Sequence, residues 1–312
     1  MKGTQWLAAI VMAVLVPCSM YRTAELMTKD ETEPSAPVQT ALKQMIFVQM
    51  TDGITEMELD AYLTGVLLGE VPGDFEPEAL KAQAVVARTY TLKSKKHGAA
   101  SVCTDPSCCQ AYCTEEAYLA AGHKEEELEK IRLAVSDSED LVLTYGGELI
   151  DATYFSCSGG RTEDALAVWG TDVPYLQAVD SPGEEKAAHH IDTVSFTVAE
   201  LASLLGTDLS ANGGDFIGKA SYTNGGGVET IQIGDEVYDG ITLRRLLGLR
   251  STAFAMTVVG DTVTVTTKGF GHRVGMSQYG ADAMAASGAD CREILAHYYP
   301  GTILEKCTAF SN

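Results

Sequence analysis

Glu70 is the residue in this sequence best suited to act as a general acid. Leu59, Leu63 and Val66 are spaced so that they form one apolar stripe along a helix. Glu70 falls on the same stripe, four positions after Val66. The Val-Pro pair at 71–72 ends the helix there, because the residue before a proline is disfavoured in the α region. A carboxyl in apolar surroundings has a raised pKa and keeps a proton near neutral pH, whereas a helix-terminal glutamate that faces water does not.

A second group of residues has the types that bind transition metals. In the stretch HGAASVCTDPSCCQAYC, His97, Cys103 and Cys109 follow one another at intervals of six residues. Two more thiols lie within reach in the same stretch, Cys108 and Cys113. Zinc prefers nitrogen and sulfur ligands in a tetrahedron, which this stretch can supply. A disulfide, for example between Cys108 and Cys113, is the alternative, and the spacing alone does not decide between the two.

Two glycine-containing motifs carry residues that suit ligand binding. In SCSGGRTED, Gly159 and Gly160 can expose backbone amides to a ligand, and Arg161 adds a positive charge. Ser158 precedes them, but the absence of a G-x-S-x-G motif argues against a serine nucleophile. In KGFGHRVGMSQYGADAMAASG, a helix that begins near Met276 points its first amides out of a glycine-rich turn. The candidate side chains of this motif are His272, Ser277, Gln278 and Tyr279.

A long helix that follows Glu70 must position part of this chemistry. Pro77 suits the first helical position, and the run ALKAQAVVARTYTLK continues the helix with alanines that would let another backbone approach closely. Gln83 and Tyr90 share one face of the helix, and Arg88 lies on another. These polar side chains either bind a ligand or form ordinary solvated helix surface.

Glycine-containing turns predict the β-hairpins of the second half. Gly146-Gly147 separates the β-favouring runs LVLTY and ELIDATYF, and the resulting hairpin leads into the SCSGGRTED motif. Gly260-Asp261 divides TVVGDTVTVTTK in the same way. Helices early in the chain and hairpins later predict an α+β fold.

Composition restricts the classes of function. The chain has 312 residues, of which 46% are hydrophobic and 21% charged, which is ordinary for one large globular domain or two smaller ones. The formal net charge of −21 is unusual. Because no basic surplus exists to replace phosphate counterions, the protein is not expected to bind nucleic acid or an anionic membrane by general attraction.

The amino terminus predicts the location of the protein. Residues 3–21 contain no charged side chain and are long enough to span a bilayer, and Lys2 precedes them. We therefore expect an uncleaved membrane anchor over 1–22, a polar tether over 23–45 and an extracytoplasmic region over 46–312. A cleaved secretory signal and a lipoprotein signal ending at Cys18 are the alternatives.

Four motifs together resemble the stage II sporulation protein D family. They are GEVP…EALKAQAVVARTYTL, H…C…CQAY, SGGRTEDALAVWGTDVPYL and KGFGHRVGMSQYGADAMAASG, and they occur in the family's order over roughly residues 50–305. The resemblance implies a structural zinc held by the counterparts of His97, Cys103 and Cys109, with Cys108 leaving the fourth ligand open. It also implies a substrate cleft, with candidate contacts at Gln83, Arg88, Tyr90, Ser158, Gly159, Gly160, Arg161, His272, Ser277, Gln278 and Tyr279.

The resemblance further implies a division of the region after the tether. Residues 46–180 would hold the catalytic helices, the zinc loop and the SGG motif. Residues 181–262 would form a variable β-rich part, and 263–312 would hold the last motif and the carboxyl-terminal helices. The glycan-binding cleft would lie between the helical part and the β-rich remainder.

The family's activity, implied by the resemblance, is that of a lytic transglycosylase cleaving peptide-stripped glycan strands of peptidoglycan during sporulation and engulfment. A hydrolase usually needs two carboxylates, and the motifs offer one well-positioned glutamate, Glu70. In a lytic transglycosylase the sugar's own C6 hydroxyl replaces water, so one carboxyl suffices. Expected partners are glycan strands, a cell-wall amidase and membrane proteins of an engulfment complex. The alternatives are a non-catalytic, glycan-binding modulator of the amidase and, less favoured, a zinc hydrolase.

Overall fold

The computed structural model describes residues 44–209 and 215–307. Nine helices lie in these ranges: α1 (Leu59–Glu70), α2 (Pro77–Lys93), α3 (Glu115–Ala120), α4 (Glu125–Asp137), α5 (Ala165–Trp169), α6 (Val198–Leu205), α7 (Gly240–Leu246), α8 (Gln278–Ala286) and α9 (Cys291–Tyr298).

The strands of the described ranges are short. They are β1 (Met45–Met50), β2 (Gly53–Glu58), β3 (Val102–Cys103), β4 (Leu141–Tyr145), β5 (Glu148–Leu149), β6 (Tyr154–Phe155), β7 (Gly160–Arg161), β8 (Asp180–Ser181), β9 (Ile191–Thr197), β10 (Ile217–Tyr222), β11 (Val228–Ile233), β12 (Glu236–Asp239), β13 (Phe254–Val259), β14 (Thr262–Lys268), β15 (Met276–Ser277) and β16 (Ile303–Lys306). They form small sheets in the orders β2-β1-β3, β10-β11-β12, β13-β14-β9, β15-β6, β16-β4-β5 and β7-β8. The predicted mixture of helices and strands is confirmed, and the cleft stays a prediction.

The predicted end of the first helix at Glu70 is confirmed. Val71 follows α1 in an extended conformation, with φ −130° and ψ 149°. The stripe of Leu59, Leu63 and Val66 is fully buried and packs in a core with residues of α2 and α4. Burying each such side chain stabilises the fold by about 1.5–3 kcal/mol. The apolar stripe therefore fixes the rotation of α1, and with it the direction from which Glu70 leaves the helix.

Two glycines of α1 let a loop lie directly on the helix. A Cβ at Gly69 would lie 2.8 Å from the backbone nitrogen of Tyr112, and a Cβ at Gly65 would overlap the Tyr112 ring. The Cys113 amide donates to the carbonyl of Gly65 at 2.9 Å. Because neither glycine has a side chain, the loop that follows the cysteine cluster can reach the end of α1.

The helix α2 lies between two cores. Ala84 and Ala87 belong to the core shared with α1 and α4. Ala79 and Ala82 belong to a second core, together with residues of α8 and α9. The expectation that the alanines allow close approach is thus met on two sides of the helix. A third core is built from residues of β9, β11, β13, β14, α6 and α7.

Both predicted hairpins are confirmed. The strands β4 and β5 are joined by Gly146 and Gly147, whose φ angles of 62° and 83° are in the left-handed region that favours glycine. The strands β13 and β14 pair antiparallel from Phe254 to Thr267, and Gly260, with φ 60°, lies in their turn.

The predicted membrane location is corrected. The predicted anchor (1–22) and the tether up to residue 43 lie outside the described residues, and β1 already begins at Met45, within the predicted tether. The longest described helix, α2, has 17 residues and contains charged side chains, whereas a membrane-spanning helix needs about 20 mostly apolar residues. None of the helices in the described ranges is long and apolar enough to cross a membrane, which contradicts the predicted single-pass localisation.

Candidate active site

Glu70 is partly buried at the end of α1 and is held by three neighbours. The Ala111 amide donates to Glu70 Oε1 at 2.6 Å. The Gln278 amide reaches Oε2 at the longer distance of 3.5 Å. The Tyr154 side chain is hydrogen-bonded to the same carboxyl. Burial raises the pKa of Glu70 above its ordinary value, and the hydrogen bonds from Ala111, Tyr154 and Gln278 oppose this rise. Glu70 therefore retains its proton at a higher pH than a solvated glutamate does.

These neighbours come from distant parts of the chain. The strand β6 pairs in parallel with β15, and this pairing places Tyr154 opposite Met276. Gln278 begins α8 directly after β15. Sequence reasoning found Glu70 and Gln278 but missed Tyr154, which the sequence shows only as one β-favouring residue in a strand. Of the last motif's candidates, Gln278 is the one that contacts Glu70.

The cysteine cluster is assembled beside this site. The donor atoms of His97, Cys103, Cys108 and Cys109 all lie within 4.8 Å of one another. His97 Nε2 lies 3.3 Å from Cys109 Sγ and 3.5 Å from Cys108 Sγ, and the two sulfur atoms are 3.9 Å apart. Ligands of a tetrahedral zinc lie about 3.5–3.8 Å apart, given Zn–S and Zn–N bonds of about 2.3 and 2.0 Å. The donor set of three thiols and one imidazole thus fits zinc.

The remaining thiol of this stretch lies elsewhere. Cys113 and Cys108 are both free thiols, so the disulfide considered from the sequence is not formed. Cys113 Sγ contacts the carbonyl oxygen of Thr114 at 3.4 Å. Cys108, which the sequence left as an open question, therefore completes the group of four donors.

The SGG motif is occupied by a carboxylate of the protein itself. Glu184 is 1% exposed and accepts hydrogen bonds from the backbone amides of Ser158 and Gly159, at 2.7 and 2.8 Å. It also accepts from the hydroxyls of Ser181 and Ser277, both at 2.6 Å. The amides of Ser158 and Gly159 and the Ser277 hydroxyl are thus bound to Glu184, and a role of this motif in substrate binding stays a prediction.

The neighbouring arginines also make internal contacts. Arg161 pairs with Asp180 at 2.5 Å near the surface, and the Gly160 amide donates to the Ser158 hydroxyl at 2.9 Å. The buried Arg273 pairs with Glu163 at 3.3 Å. The structure thus brings Ser158, Gly160 and Arg161 together in one polar network, without placing any of them in contact with Glu70.

The three candidate substrate contacts on α2 have different surroundings in the structure. Arg88 is 1% exposed, and its guanidinium donates to Asp60 at 2.9 Å and to the carbonyl oxygens of Ser138 and Val135 at 2.5 and 3.3 Å. These contacts tie α2 to α1 and α4 and leave no surface for a ligand. Gln83 is 2% exposed, and its side-chain amide has no hydrogen-bond partner in the described part of the chain.

Tyr90, the third of these candidates, lies beside the cysteine cluster. Its hydroxyl accepts from Lys96 Nζ at 2.8 Å. Lys96 also donates to the carbonyl oxygen of Cys108 at 3.0 Å. Tyr90 is therefore placed to support the loop of the cluster.

His272 and Tyr279 pack against aromatic rings. The His272 ring lies 5.4 Å from the Trp169 ring and accepts from the Val274 amide through Nδ1 at 3.1 Å. Burial lowers the pKa of His272 to about 4, so the ring is neutral at physiological pH. Tyr279 packs edge-on against Phe75, with ring centroids 5.0 Å apart.

Comparison with known proteins gives consistent matches. A family profile described as "Stage II sporulation protein" matches residues 49–145. Stage II sporulation protein D of Bacillus subtilis (strain 168) is 38% identical over 291 residues, covering 90% of this chain and 83% of the relative. The protein of the same name from Bacillus amyloliquefaciens is 35% identical, covering 90% and 84%. A protein named Amidase enhancer, from Bacillus subtilis (strain 168), is 31% identical and covers 78% of this chain and 40% of its own length.

Proposed function

Because the chain belongs to the stage II sporulation protein D family, we propose that it acts in sporulation as a lytic transglycosylase on peptidoglycan. The bond cleaved is the glycosidic bond between N-acetylmuramic acid and N-acetylglucosamine, in strands from which the stem peptides have been removed. The observation that carries the proposal is the environment of Glu70, a single carboxyl whose pKa is raised by burial. A raised pKa favours the protonated carboxyl, which is the form that donates a proton to a leaving sugar oxygen.

Glu70 performs both proton transfers in this reaction. The carboxyl first gives its proton to the glycosidic oxygen, and the bond between that oxygen and C1 breaks. The C6 hydroxyl of the same sugar then attacks C1, and its proton passes to the Glu70 carboxylate. A 1,6-anhydro ring forms, the acid is regenerated, and no water is consumed.

The neighbours of Glu70 suit this sequence of steps. The Ala111 amide donates to Oε1 and stabilises the carboxylate that exists between the two transfers. A glycosidase that activates water usually carries a second carboxylate about 5–9.5 Å from the first. Glu70 is the one well-positioned glutamate of the sequence motifs, and this supports attack by an internal hydroxyl.

In this proposal zinc has a structural role. His97, Cys103, Cys108 and Cys109 would hold the ion, because their donor atoms lie within 4.8 Å of one another. When bound, zinc supplies a rigid cross-link between the segments of the loop. The loop then presents the Ala111 amide to Glu70.

A second candidate is a non-catalytic, glycan-binding modulator of a cell-wall amidase. The relative named Amidase enhancer favours it. A protein that only binds glycan has no need of a proton donor, so the state of Glu70 discriminates between the two functions. A cell-wall amidase is a proposed partner in both cases, since it would supply the peptide-stripped strands.

One digestion tests the proposal. Purified protein is incubated with amidase-treated glycan strands, and the released ends are identified by mass spectrometry. We expect 1,6-anhydro ends from the wild type and none from Glu70→Gln. Reducing ends would indicate hydrolysis instead, and tight glycan binding without any cleavage by the wild type would support the modulator.

A further inference from the structure

A small basic cavity, here called the lysine cavity, lies at the carboxyl end of α2. Its volume is about 230 Å³, and its lining includes Tyr90, Lys93, Ser94, Lys95, Lys96 and Asp151. Three lysines and one carboxylate give this lining a positive charge, whereas the whole chain has a formal net charge of −21. The lysine cavity is therefore a place where an otherwise acidic protein can attract an anion.

The three lysines have different partners. Lys96 donates to the Tyr90 hydroxyl at 2.8 Å and to the carbonyl oxygen of Cys108 at 3.0 Å, so it supports the loop of the cysteine cluster. Lys93 pairs with Asp151 at 3.0 Å, and both side chains are partly exposed. Lys95 is exposed and forms no ion pair with any residue that the structure describes. The charge of Lys95 is thus available to a ligand.

Ser94 adds an uncharged donor to the lining. Its hydroxyl oxygen is buried and has no hydrogen-bond partner in the described part of the chain. The backbone amide of Ser94 already donates to the carbonyl oxygen of Tyr90 at 3.0 Å, so the end of α2 does not need the hydroxyl. Buried hydroxyls are normally hydrogen-bonded, and ammonium groups only donate. The ligand that matches such a set of donors is an anion with oxygen acceptors.

A short stretch of backbone connects the lysine cavity to Glu70. Lys96 contacts the carbonyl oxygen of Cys108, and Ala111, three residues later, donates to Glu70 Oε1 at 2.6 Å. Because three residues span at most about 10 Å, Lys96 Nζ lies within about 16 Å of the Glu70 carboxyl. A glycan strand bound at Glu70 extends over several sugar units on either side of the cleaved bond. The lysine cavity is therefore within reach of the same strand.

A peptide-stripped glycan strand carries the matching anion. Each N-acetylmuramic acid has a lactyl group, whose carboxyl is joined to the stem peptide through an amide bond in intact peptidoglycan. Cleavage of that amide leaves a free carboxylate, so a stripped strand has one negative charge on every disaccharide. A protein of net charge −21 repels such a strand unless the strand meets a local group of cations.

We propose that the lysine cavity binds the free lactyl carboxylate of an N-acetylmuramic acid unit and thereby selects strands from which the stem peptide has been removed. The inference rests on the proposed function, whose substrate it specifies. Lys95 supplies most of the charge, because Lys93 is partly neutralised by Asp151, and Ser94 donates a hydrogen bond. A lactyl group that is still joined to its peptide ends in a neutral amide and gains no ionic attraction from the lysines.

Binding to chemically altered strands tests the proposal. All proteins carry Glu70→Gln so that the strands stay intact, and Kd is measured for peptide-stripped strands and for the same strands with their carboxyls converted to neutral methylamides. We expect the stripped strands to bind about tenfold more tightly, the effect of one hydrogen bond to a charged group. Adding Lys95→Gln should remove this tenfold difference and leave the affinity for methylamide strands unchanged.

Two further variants serve as matched controls. Lys219→Gln removes the same charge from an exposed position on β10, and it should bind both kinds of strand as the parent does. Asp151→Asn removes the negative charge beside Lys93, so the affinity for stripped strands should rise about threefold, without a change for methylamide strands. Lys95 lies two residues before His97, so zinc content is measured in each variant and should be unchanged.

Several outcomes would overturn the carboxylate site. One is equal affinity of the parent for stripped and methylamide strands, and another is an equal loss of affinity in Lys95→Gln and Lys219→Gln. A loss of zinc in Lys95→Gln that weakens binding of both kinds of strand would show that Lys95 supports the cysteine cluster instead.

Strands that keep their stem peptides separate the two sources of carboxylate. These strands carry peptide carboxylates but no free lactyl carboxylate, so we expect them to bind as weakly as methylamide strands. Tight binding with the same dependence on Lys95 would assign the cavity to peptide carboxylates and contradict the proposal. Because all these measurements are of binding, a failure of the wild type to cleave glycan would refute the proposed activity and leave the carboxylate site standing.

Discussion

Replacement of Arg88 tests whether this buried arginine is structural. In Arg88→Met the long apolar stem is kept and the guanidinium is removed. The carbonyl oxygens of Ser138 and Val135 then lose a donor in the interior, while Asp60, whose side chain is 46% exposed, can be rehydrated. Both carbonyls keep a second donor, because the Ser138 hydroxyl donates to Val135 and the Leu141 amide donates to Ser138, each at 3.1 Å. A hydrogen bond to a charged group contributes about 1.5–3 kcal/mol, so loss of the guanidinium should lower the free energy of unfolding by about 3 kcal/mol.

The assay compares thermal unfolding with glycan binding. A loss of this size should lower Tm by roughly 6–12 °C for a domain of this size class. Arg161→Met is the matched control, because Arg161 was also predicted to bind substrate and also donates to two carbonyl oxygens, those of Asn224 and Ala178, but its side chain is 36% exposed and pairs with the exposed Asp180. An exposed pair contributes about 0–1 kcal/mol and water can reach the groups that lose a donor, so Tm should fall less than in Arg88→Met.

The same comparison can refute the structural role of Arg88. If Arg88→Met unfolds at the wild-type temperature, the guanidinium does not hold α2 to its neighbours. If it also binds glycan strands more weakly at that unchanged Tm, Arg88 contacts the substrate as first expected from the sequence. Folded Arg88→Met with wild-type glycan affinity at a low temperature supports the structural role.

Three other changes give independent tests. Glu70→Gln should bind glycan strands nearly as well as wild type and lose cleavage by about 10²-fold or more, measured by release of anhydro ends. Because the folded pKa of Glu70 is raised, the stability of the wild type declines as pH rises from the ordinary value of 4.5 through the folded pKa. Denaturant titrations should therefore show that the variant gains stability relative to wild type over that pH window. Purified protein should carry close to one equivalent of zinc by elemental analysis. Cys108→Ser should lower both zinc content and Tm, whereas Cys113→Ser should retain the metal. An equal loss of zinc in the two variants would contradict the four-donor cluster. Gly69→Ala should destabilise by about 1–3 kcal/mol, since its Cβ would lie 2.8 Å from the Tyr112 nitrogen, and an unchanged Tm would contradict this close packing.

Local features of the chain were predictable because their causes are local. The apolar stripe and the Val-Pro pair determine where α1 runs and why it ends at Glu70. Glycine residues that accept a positive φ determine the turns at 146–147 and 260. The four donors of the cysteine cluster lie within 13 consecutive positions, His97 to Cys109, so the sequence already contained the composition of that site.

The roles of individual polar residues were decided by tertiary packing. Helical periodicity placed Gln83 and Arg88 on faces of α2, but it cannot show that cores cover two sides of the helix. Arg88 consequently lies inside, where its guanidinium pairs with backbone oxygens instead of a ligand. The sequence predicted that amides of the SGG motif would face a ligand. That the amides of Ser158 and Gly159 instead bind the carboxylate of Glu184 follows only from the fold.

The environment of Glu70 was likewise determined partly by the local sequence and partly by tertiary packing. The sequence alone determined that a carboxyl ends an apolar helix, because that depends on residues within one turn of each other. Its partners Ala111 and Gln278 are 41 and 208 positions away, and Tyr154 is brought in by the parallel pairing of β6 with β15. Periodicity specifies which face of an element is apolar but carries no information on which distant element covers it. The pKa of Glu70 depends on the distant residues that bury it and bond to it, so only the tertiary structure decided this property.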